Sequence, residues 1–265
     1  MNPCKTSTPA HLLILFLLTL TSCQSMGAEV RIAVAANFTE VSRQLAELFE
    51  RETGYTTRIS YGSTGKLFAQ IENGAPFDLF LSADTQRPEK AEKEGLAVAG
   101  SRFNYAKGKL VLWSSESNLF KTGENYLKTA SFQHIALANP KTAPYGLAAR
   151  EVLEKLGIWQ KLNSTNRLVR GESIAQTFQF VATGNTQAGF VAFSQIKAWQ
   201  SAHQQTEAGT TWEISTEYYN PINQAAVLLE RGKTNPAAQA YLKFLDSENA
   251  RTLIRSYGYD VDDKP

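Results

Sequence analysis

Short apolar runs alternate with amphipathic stretches along most of the chain. Val30 to Ala35 (VRIAVA) is compact, apolar and rich in β-branched residues, the pattern of a strand covered on both faces. From Thr39 the apolar positions Val41, Leu45, Leu48 and Phe49 return every three or four residues, which puts them on one face of a helix, and Gly54 marks its stop. The alternation continues, with predicted strands over 57–60, 78–83, 108–113, 134–138, 166–169, 187–192, 212–215 and 222–229. Helices are predicted over 67–72, 85–94, 147–156, 174–183, 235–245 and 247–256. Strand–helix alternation at this spacing argues for a doubly wound α/β sheet.

The junctions carry the candidate chemistry. Tyr61 to Leu67 reads YGSTGKL between a strand and a helix. Gly62 and Gly65 are expected to let the backbone turn sharply and approach a ligand. Ser63 and Thr64 put hydroxyls and free amides where a helix begins, and an unpaired helix N-terminus favours an anion. Taken alone, the stretch reads more readily as an ordinary N-cap, and the rest of the chain has to tip the balance. Three further strand-to-helix junctions fall at Asn37, at Tyr145-Gly146 in a loop that opens at Lys141, and at Ser173-Ile174. In an open parallel sheet such points line one edge, where ligands bind. None of the four needs a charged side chain.

The bulk numbers narrow the partner. The chain has 265 residues, 43% hydrophobic and 20% charged, enough for one large domain or two lobes. Net charge is +2, and no basic block suggests nucleic acid. Residues 1–28 read as a secretory signal: Lys5 in a polar start, an apolar run from Leu12 to Leu20, then small residues. Cleavage near Ser25-Met26-Gly27-Ala28 would free a soluble protein; the Leu20-Thr21-Ser22-Cys23 box would instead leave Cys23 lipidated. Cys4 and Cys23 are the only cysteines, so no disulfide framework is expected, and the three scattered histidines do not suggest a zinc site or a Ser-His-Asp triad.

Enzyme chemistry is hard to find. Gly62-Ser63-Thr64-Gly65-Lys66 lacks the GxxxxGK[ST] spacing of a phosphate loop, and no GxSxG elbow occurs. Asp78 and Asp84 flank one strand and read as turn and cap residues; Lys66 reads as a solvated lysine.

Four strings, VAANFTEV, YGSTGKLFAQIENGAPFDLFLSAD, LANPKTAPYGLAAREVLEKLG and VRGESIAQTFQFVATGNTQAGFV, resemble the periplasmic molybdate-binding proteins of ABC transporters. The similarity covers about residues 29 to 260. It implies a two-lobed, type II periplasmic-binding-protein fold, with mixed sheets flanked by helices, a hinge and an interlobe cleft. Lobe I would be residues 29–107 plus 222–265, and lobe II residues 108–221. The first-lobe ligands match Asn37, Ser63 and Thr64; the second-lobe ligands match Tyr145 and the backbone N–H of Ile174. Asn37 stands where many members have serine, Tyr145 where a small residue is common, and Ala192 where some members use a tyrosine. The last two changes fit a compensating swap of one phenol for another.

The resemblance further implies a periplasmic, monomeric protein with no cofactor, which hands molybdate or tungstate to a membrane permease and its ATPase. Physics fits that expectation. A buried dianion needs donors converging from several sides. Each hydrogen bond to a charged group is worth roughly 1.5–3 kcal/mol. Sulfate has the same shape but is smaller, so a rigid cavity built for the larger ion leaves its bonds long. Sulfate, thiosulfate, phosphate or a ferric complex are the alternative ligands. Phosphate is disfavoured because no Asp or Arg stands at the matched positions, and a secreted α/β enzyme is the remote alternative.

Overall fold

The computed structural model describes residue 1, residues 28–204 and residues 209–262. The expected signal over residues 1–28, apart from its two ends, lies outside the described residues, as does Cys23.

The first half of the chain runs β1 (Glu29–Ala35), α1 (Thr39–Thr53), β2 (Thr56–Gly62), α2 (Thr64–Glu72), β3 (Leu79–Leu81), α3 (Gln86–Lys93) and β4 (Phe103–Gly108). In β1, Val30, Ile32 and Val34 share one core with Val41, Leu45 and Phe49 of α1, while Ala33 joins Leu67, Phe68 and Ile71 of α2 on the other face. The period of two in the strand and of 3.6 in the helices produces this sandwich. Each such fully buried Leu, Ile, Val or Phe contributes roughly 1.5–3 kcal/mol. Gly54 ends α1 with φ of 72°, and its N–H donates to the Glu50 carbonyl.

The chain then enters β5 (Leu110–Ser114), α4 (Gly123–Thr129), β6 (Ile135–Ala138), α5 (Pro144–Lys155), α6 (Trp159–Ser164), β7 (Leu168–Gly171), α7 (Ile174–Ala182), β8 (Ala188–Ala192), α8 (Phe193–His203) and β9 (Thr210–Glu213). It closes with β10 (Ile222–Leu228), α9 (Pro236–Leu245) and α10 (Glu248–Ser256).

Two five-stranded sheets result, ordered β2-β1-β3-β10-β4 and β7-β6-β8-β5-β9. Each has three parallel strands followed by an antiparallel one and an antiparallel edge partner. The alternation read from the sequence argued for a doubly wound α/β sheet, and the resemblance implied the mixed sheets that the structure shows. The pattern marks strands and helices but not pairing, so it could not reveal two mixed sheets. The stretch predicted as a single strand over 108–113 is divided at Lys109 between β4 of one sheet and β5 of the other. Lys109 itself ion-pairs with Asp260 at 2.7 Å. β10 returns from the second half to complete the first sheet, so the chain passes between the sheets twice. Trp113 is fully buried and stacks on Phe178 at 4.8 Å, which places it in the core.

Candidate functional site

The loop at Tyr61–Leu67 does not turn as its glycines suggest. Neither Gly62 nor Gly65 has positive φ, and α2 starts at Thr64. Gly65 serves close approach. Its N–H donates to the Thr142 carbonyl at 2.8 Å, and a Cβ there would lie 3.0 Å from Thr142 Cα. Ser63 holds the N-cap position with extended backbone, yet its side chain caps nothing. Its Oγ is buried and has no hydrogen-bond partner. Thr64 is 1% exposed and its Oγ1 accepts from the Ala83 N–H at 3.1 Å, which leaves its proton to donate elsewhere.

On the other half, Pro144 occupies the first helical turn of α5, where its missing N–H costs nothing. Tyr145 is therefore in the first turn of that helix and not in the loop expected from the sequence. It is buried, and its hydroxyl accepts from Gln224 Nε2 at 3.3 Å. Burial, with the Tyr259 and Tyr105 phenols nearby, pushes the Tyr145 phenol well above its ordinary pKa, so it remains a neutral donor. Ile174 is the first residue of α7, capped by Ser173, whose Oγ accepts from Gln176 N–H. Its side chain packs in the apolar cluster that also holds Tyr145, Ala35 and Ala36. Helix geometry leaves the first amides of α2, α5 and α7 without partners inside their own helices.

Asn37 sits in a short 3-10 turn after β1, 4% exposed. Its Nδ2 donates to Gln224 Oε1 at 2.9 Å and to the Tyr259 hydroxyl at 3.0 Å. Both side-chain hydrogens are thus used within the protein, which leaves the backbone N–H as the donor that Asn37 could offer a ligand.

The two halves meet around these residues. Ser194 Oγ, at the start of α8, donates to the Asn37 carbonyl at 3.1 Å. Lys66 and Glu172 form an ion pair across the gap, with both side chains about half exposed. Arg87 pairs with Asp84, and its Nη2 would lie 3.1 Å from a Cβ on Gly65. The guanidinium beside Gly65 is thus matched by the Asp84 carboxylate, three residues earlier in the chain. Grooves of about 390 and 500 Å3 flank the junction; Asp84, Arg87 and Pro144 help line the first, and Asn37, Phe178 and Ser194 the second. Among the described residues no group of three or more His, Cys, Asp or Glu is placed to hold a metal ion, and no helix is long and apolar enough to cross a membrane.

The sequence reading missed Tyr105, Thr142, Ser194, Gln224 and Tyr259. Thr142 Oγ1 is, like Ser63 Oγ, buried without a partner. Gln224 carried only a weak signal: an amide beside Asn223 in the otherwise apolar run INQAAVLL, fully buried in β10.

Ser63 and Thr142 thus bring two buried, unpartnered hydroxyls to the junction of the halves, and Tyr126, Thr186 and Tyr241 carry others elsewhere. Residues 30–260 match the family described as bacterial extracellular solute-binding protein. The chain belongs to that family. Among these solute-binding proteins it is 49% identical to the molybdate-binding protein ModA of Azotobacter vinelandii, across 91% of this chain and 94% of that one. It is 48% identical to ModA of Rhodobacter capsulatus, across 88% of both chains. The solved periplasmic molybdate-binding protein of Azotobacter vinelandii superposes with a TM-score of 0.84 at 38% identity, covering 88% of this chain and all of that one. Solute-binding proteins with two mixed sheets around a cleft are the type II arrangement expected from the sequence.

Proposed function

We propose that the chain is a periplasmic molybdate-binding protein that also takes tungstate and delivers its ligand to an ABC permease and its ATPase. The observation that carries this reading is the buried, unpartnered Ser63 Oγ at the head of α2, beside Thr64 and facing the half that supplies Tyr145 and Ile174. A hydroxyl buried without a partner costs about 1–3 kcal/mol, which a ligand oxygen repays. Asn37 through its backbone, Ser63, Thr64, Tyr145 and the Ile174 N–H are the donor set. All are neutral, so the dianion is held by dipoles and hydroxyls, with no second ion to bury. The ModA names of its relatives support the choice of molybdate.

Residues 29–107 with 222–265 form one lobe and 108–221 the other. The lobes close on the ion by hinge motion at the two chain crossings. The protein is exported by its first 28 residues and acts as a monomer without a cofactor. Release from the membrane after cleavage near Ala28 is the primary form; fatty-acid labelling at Cys23 would replace it with a lipid-anchored one.

Calorimetric titration of molybdate, tungstate, sulfate and phosphate into the purified protein tests the reading. Molybdate and tungstate are expected to bind on the order of micromolar or tighter, and sulfate and phosphate far more weakly. Tight binding of sulfate or phosphate with none of molybdate would overturn it.

A further inference from the structure

Tyr145, Gln224, Asn37 and Tyr259 form a single hydrogen-bonded chain whose direction is set from one end. The Asn37 carbonyl can only accept. Tyr259 hydroxyl lies 2.8 Å from it and 2.9 Å from Ser194 Oγ, so its one proton is used on that side. The Tyr259 oxygen therefore accepts from Asn37 Nδ2 at 3.0 Å. That fixes the Asn37 amide and sends its second hydrogen to Gln224 Oε1 at 2.9 Å. Tyr105 hydroxyl lies 3.0 Å from the same Oε1 and 3.2 Å from the Ser82 carbonyl, so its single proton has two acceptors and the assignment rests on the Asn37 end of the chain. Gln224 Nε2 must then point the other way and donate to the Tyr145 oxygen. A phenol that accepts there can give its own proton only elsewhere, to the neighbouring Tyr259 oxygen with which it interacts or to a ligand that competes for it.

The backbone is shaped for this contact. The β10–β4 register shifts between Gln224, opposite Ala106, and Ala225, opposite Asn104, which leaves Tyr105 as the extra residue of a bulge. Bulges re-aim side chains beside functional sites. At the end of β4, Gly108 leaves room for the contact: a Cβ there would overlap the Tyr145 hydroxyl and lie 2.7 Å from Gln224 Nε2. Gln224 is fully buried, belongs to the first sheet, and reaches a tyrosine of the opposite half.

We infer that Gln224 is a positioning residue which, by donating to the Tyr145 oxygen across the cleft, turns the Tyr145 proton toward the oxyanion and so couples lobe closure to ligand capture. The inference rests on the reading of Tyr145 as a donor to that anion.

Gln224→Glu tests the direction of the bond. An ionised carboxylate has no hydrogen to give. It would accept the Tyr145 proton, withdraw it from the anion and add a negative charge beside it. Protonating that carboxyl restores a donor. The other titratable groups facing Gln224 are the phenols of Tyr105, Tyr145 and Tyr259, all pushed upward mainly by burial, with the Asp84 carboxylate acting on Tyr105. The phenols stay neutral across the range tested. Molybdate affinity, titrated from about pH 5.5 to pH 9, is expected to be nearly flat in the wild type. In Gln224→Glu it should fall by about a hundredfold at the alkaline end and recover at least about tenfold at the acid end. Gln224→Met, which has no amide, should cost about tenfold at every pH, and combining it with Tyr145→Phe should cost no more than Tyr145→Phe alone. This second cycle stands even if the Glu variant fails to fold.

A flat pH profile in a folded Gln224→Glu, or additive losses for Met and Phe, would make Gln224 a structural residue and overturn the inference while molybdate binding by the wild type stands. A wild type that binds no molybdate overturns the functional reading, and this inference with it.

Discussion

The Gly65 N–H donates to the Thr142 carbonyl at 2.8 Å, joining the first turn of α2 to the loop before α5 by main chain alone. The two partners lie in opposite halves, so under the proposed hinge motion this bond would be made on closing. Gly65→Ala probes it. The new Cβ would sit 3.0 Å from Thr142 Cα and O and 3.1 Å from Arg87 Nη2, tighter than ordinary contact. Alanine suits a helix better than glycine, so the separate half should lose nothing. The expected result is an unchanged melting temperature without ligand and a molybdate affinity about tenfold weaker, equivalent to about 1.4 kcal/mol. Parallel losses in both measurements would place the damage in the fold and not in closure.

The donor set makes a second prediction. Tyr145→Phe, Thr64→Ala and Ser63→Ala each remove one hydroxyl facing the proposed anion. Each should weaken molybdate binding by about 1.5–3 kcal/mol, about ten- to a hundredfold. Ser63→Ala is the most telling, because its Oγ has no partner within the protein and the change should not lower the stability of the free form. Thr64→Ala also deprives the Ala83 N–H of its acceptor and should lower the melting temperature as well. Titration calorimetry and thermal unfolding without ligand separate the two effects. An undiminished affinity in Ser63→Ala would remove that hydroxyl from the site.

Most of the elements were legible in the sequence, because their cues are local. β1, α1 and α7 follow from period and caps: VRIAVA, the Val41–Leu45–Phe49 stripe and Ser173 before Ile174. α4, α6 and α8 escaped notice: α4 and α6 are only one or two turns long, and α8 follows β8 with no turn residue between. Pairing was not legible. Lys109 passes the chain from one sheet to the other at the head of the apolar run LVLW, and a single Gly-Lys pair there does not signal a change of sheet. Within the proposed site, the helix starts at Ser63-Thr64 and Ile174 could be located because helix starts announce themselves. Gln224 and Tyr259 could not, since their meaning depends on Asn37, 187 and 222 residues away in sequence.

Lys66 sits next to the glycine loop and tests how the anion is held. It pairs with Glu172 of the other half, and both side chains are about half exposed. Exposed pairs are worth about 0–1 kcal/mol. Lys66→Ala and Glu172→Ala should each lower molybdate affinity by less than about fivefold, by the same amount, with the effect fading in high salt. A lysine that bound the ion directly would behave otherwise. Its removal would cost far more, and Glu172→Ala would tighten binding by freeing it. Titrations of the two variants at low and high ionic strength distinguish a latch from a ligand.

Alkaline pH offers a test of the buried phenols. Burial is the main cause that pushes the Tyr259 phenol from 10 up to about 12, and the same cause raises Tyr105 and Tyr145 well above the ordinary value. A raised pKa means that the folded state favours the protonated phenol. Its contribution is therefore complete below about pH 10 and is lost as pH rises through about 12. For Tyr259 alone the two-unit difference corresponds to something on the order of 3 kcal/mol. Stability to denaturant should hold steady from neutrality to about pH 10 and then drop with a slope of more than one proton, since three phenols share the cluster. Molybdate should delay the drop, because an anion bound by Tyr145 opposes its ionisation. Tyr259→Phe should reduce the alkaline slope by about one proton, while also releasing the Asn37 amide that Tyr259 now holds. Near-ultraviolet absorbance of phenolate, followed beside unfolding, gives the decisive reading. Ionisation of these tyrosines at ordinary pH in the folded protein would mean that water reaches the cluster, and the neutral donor set would not survive that result.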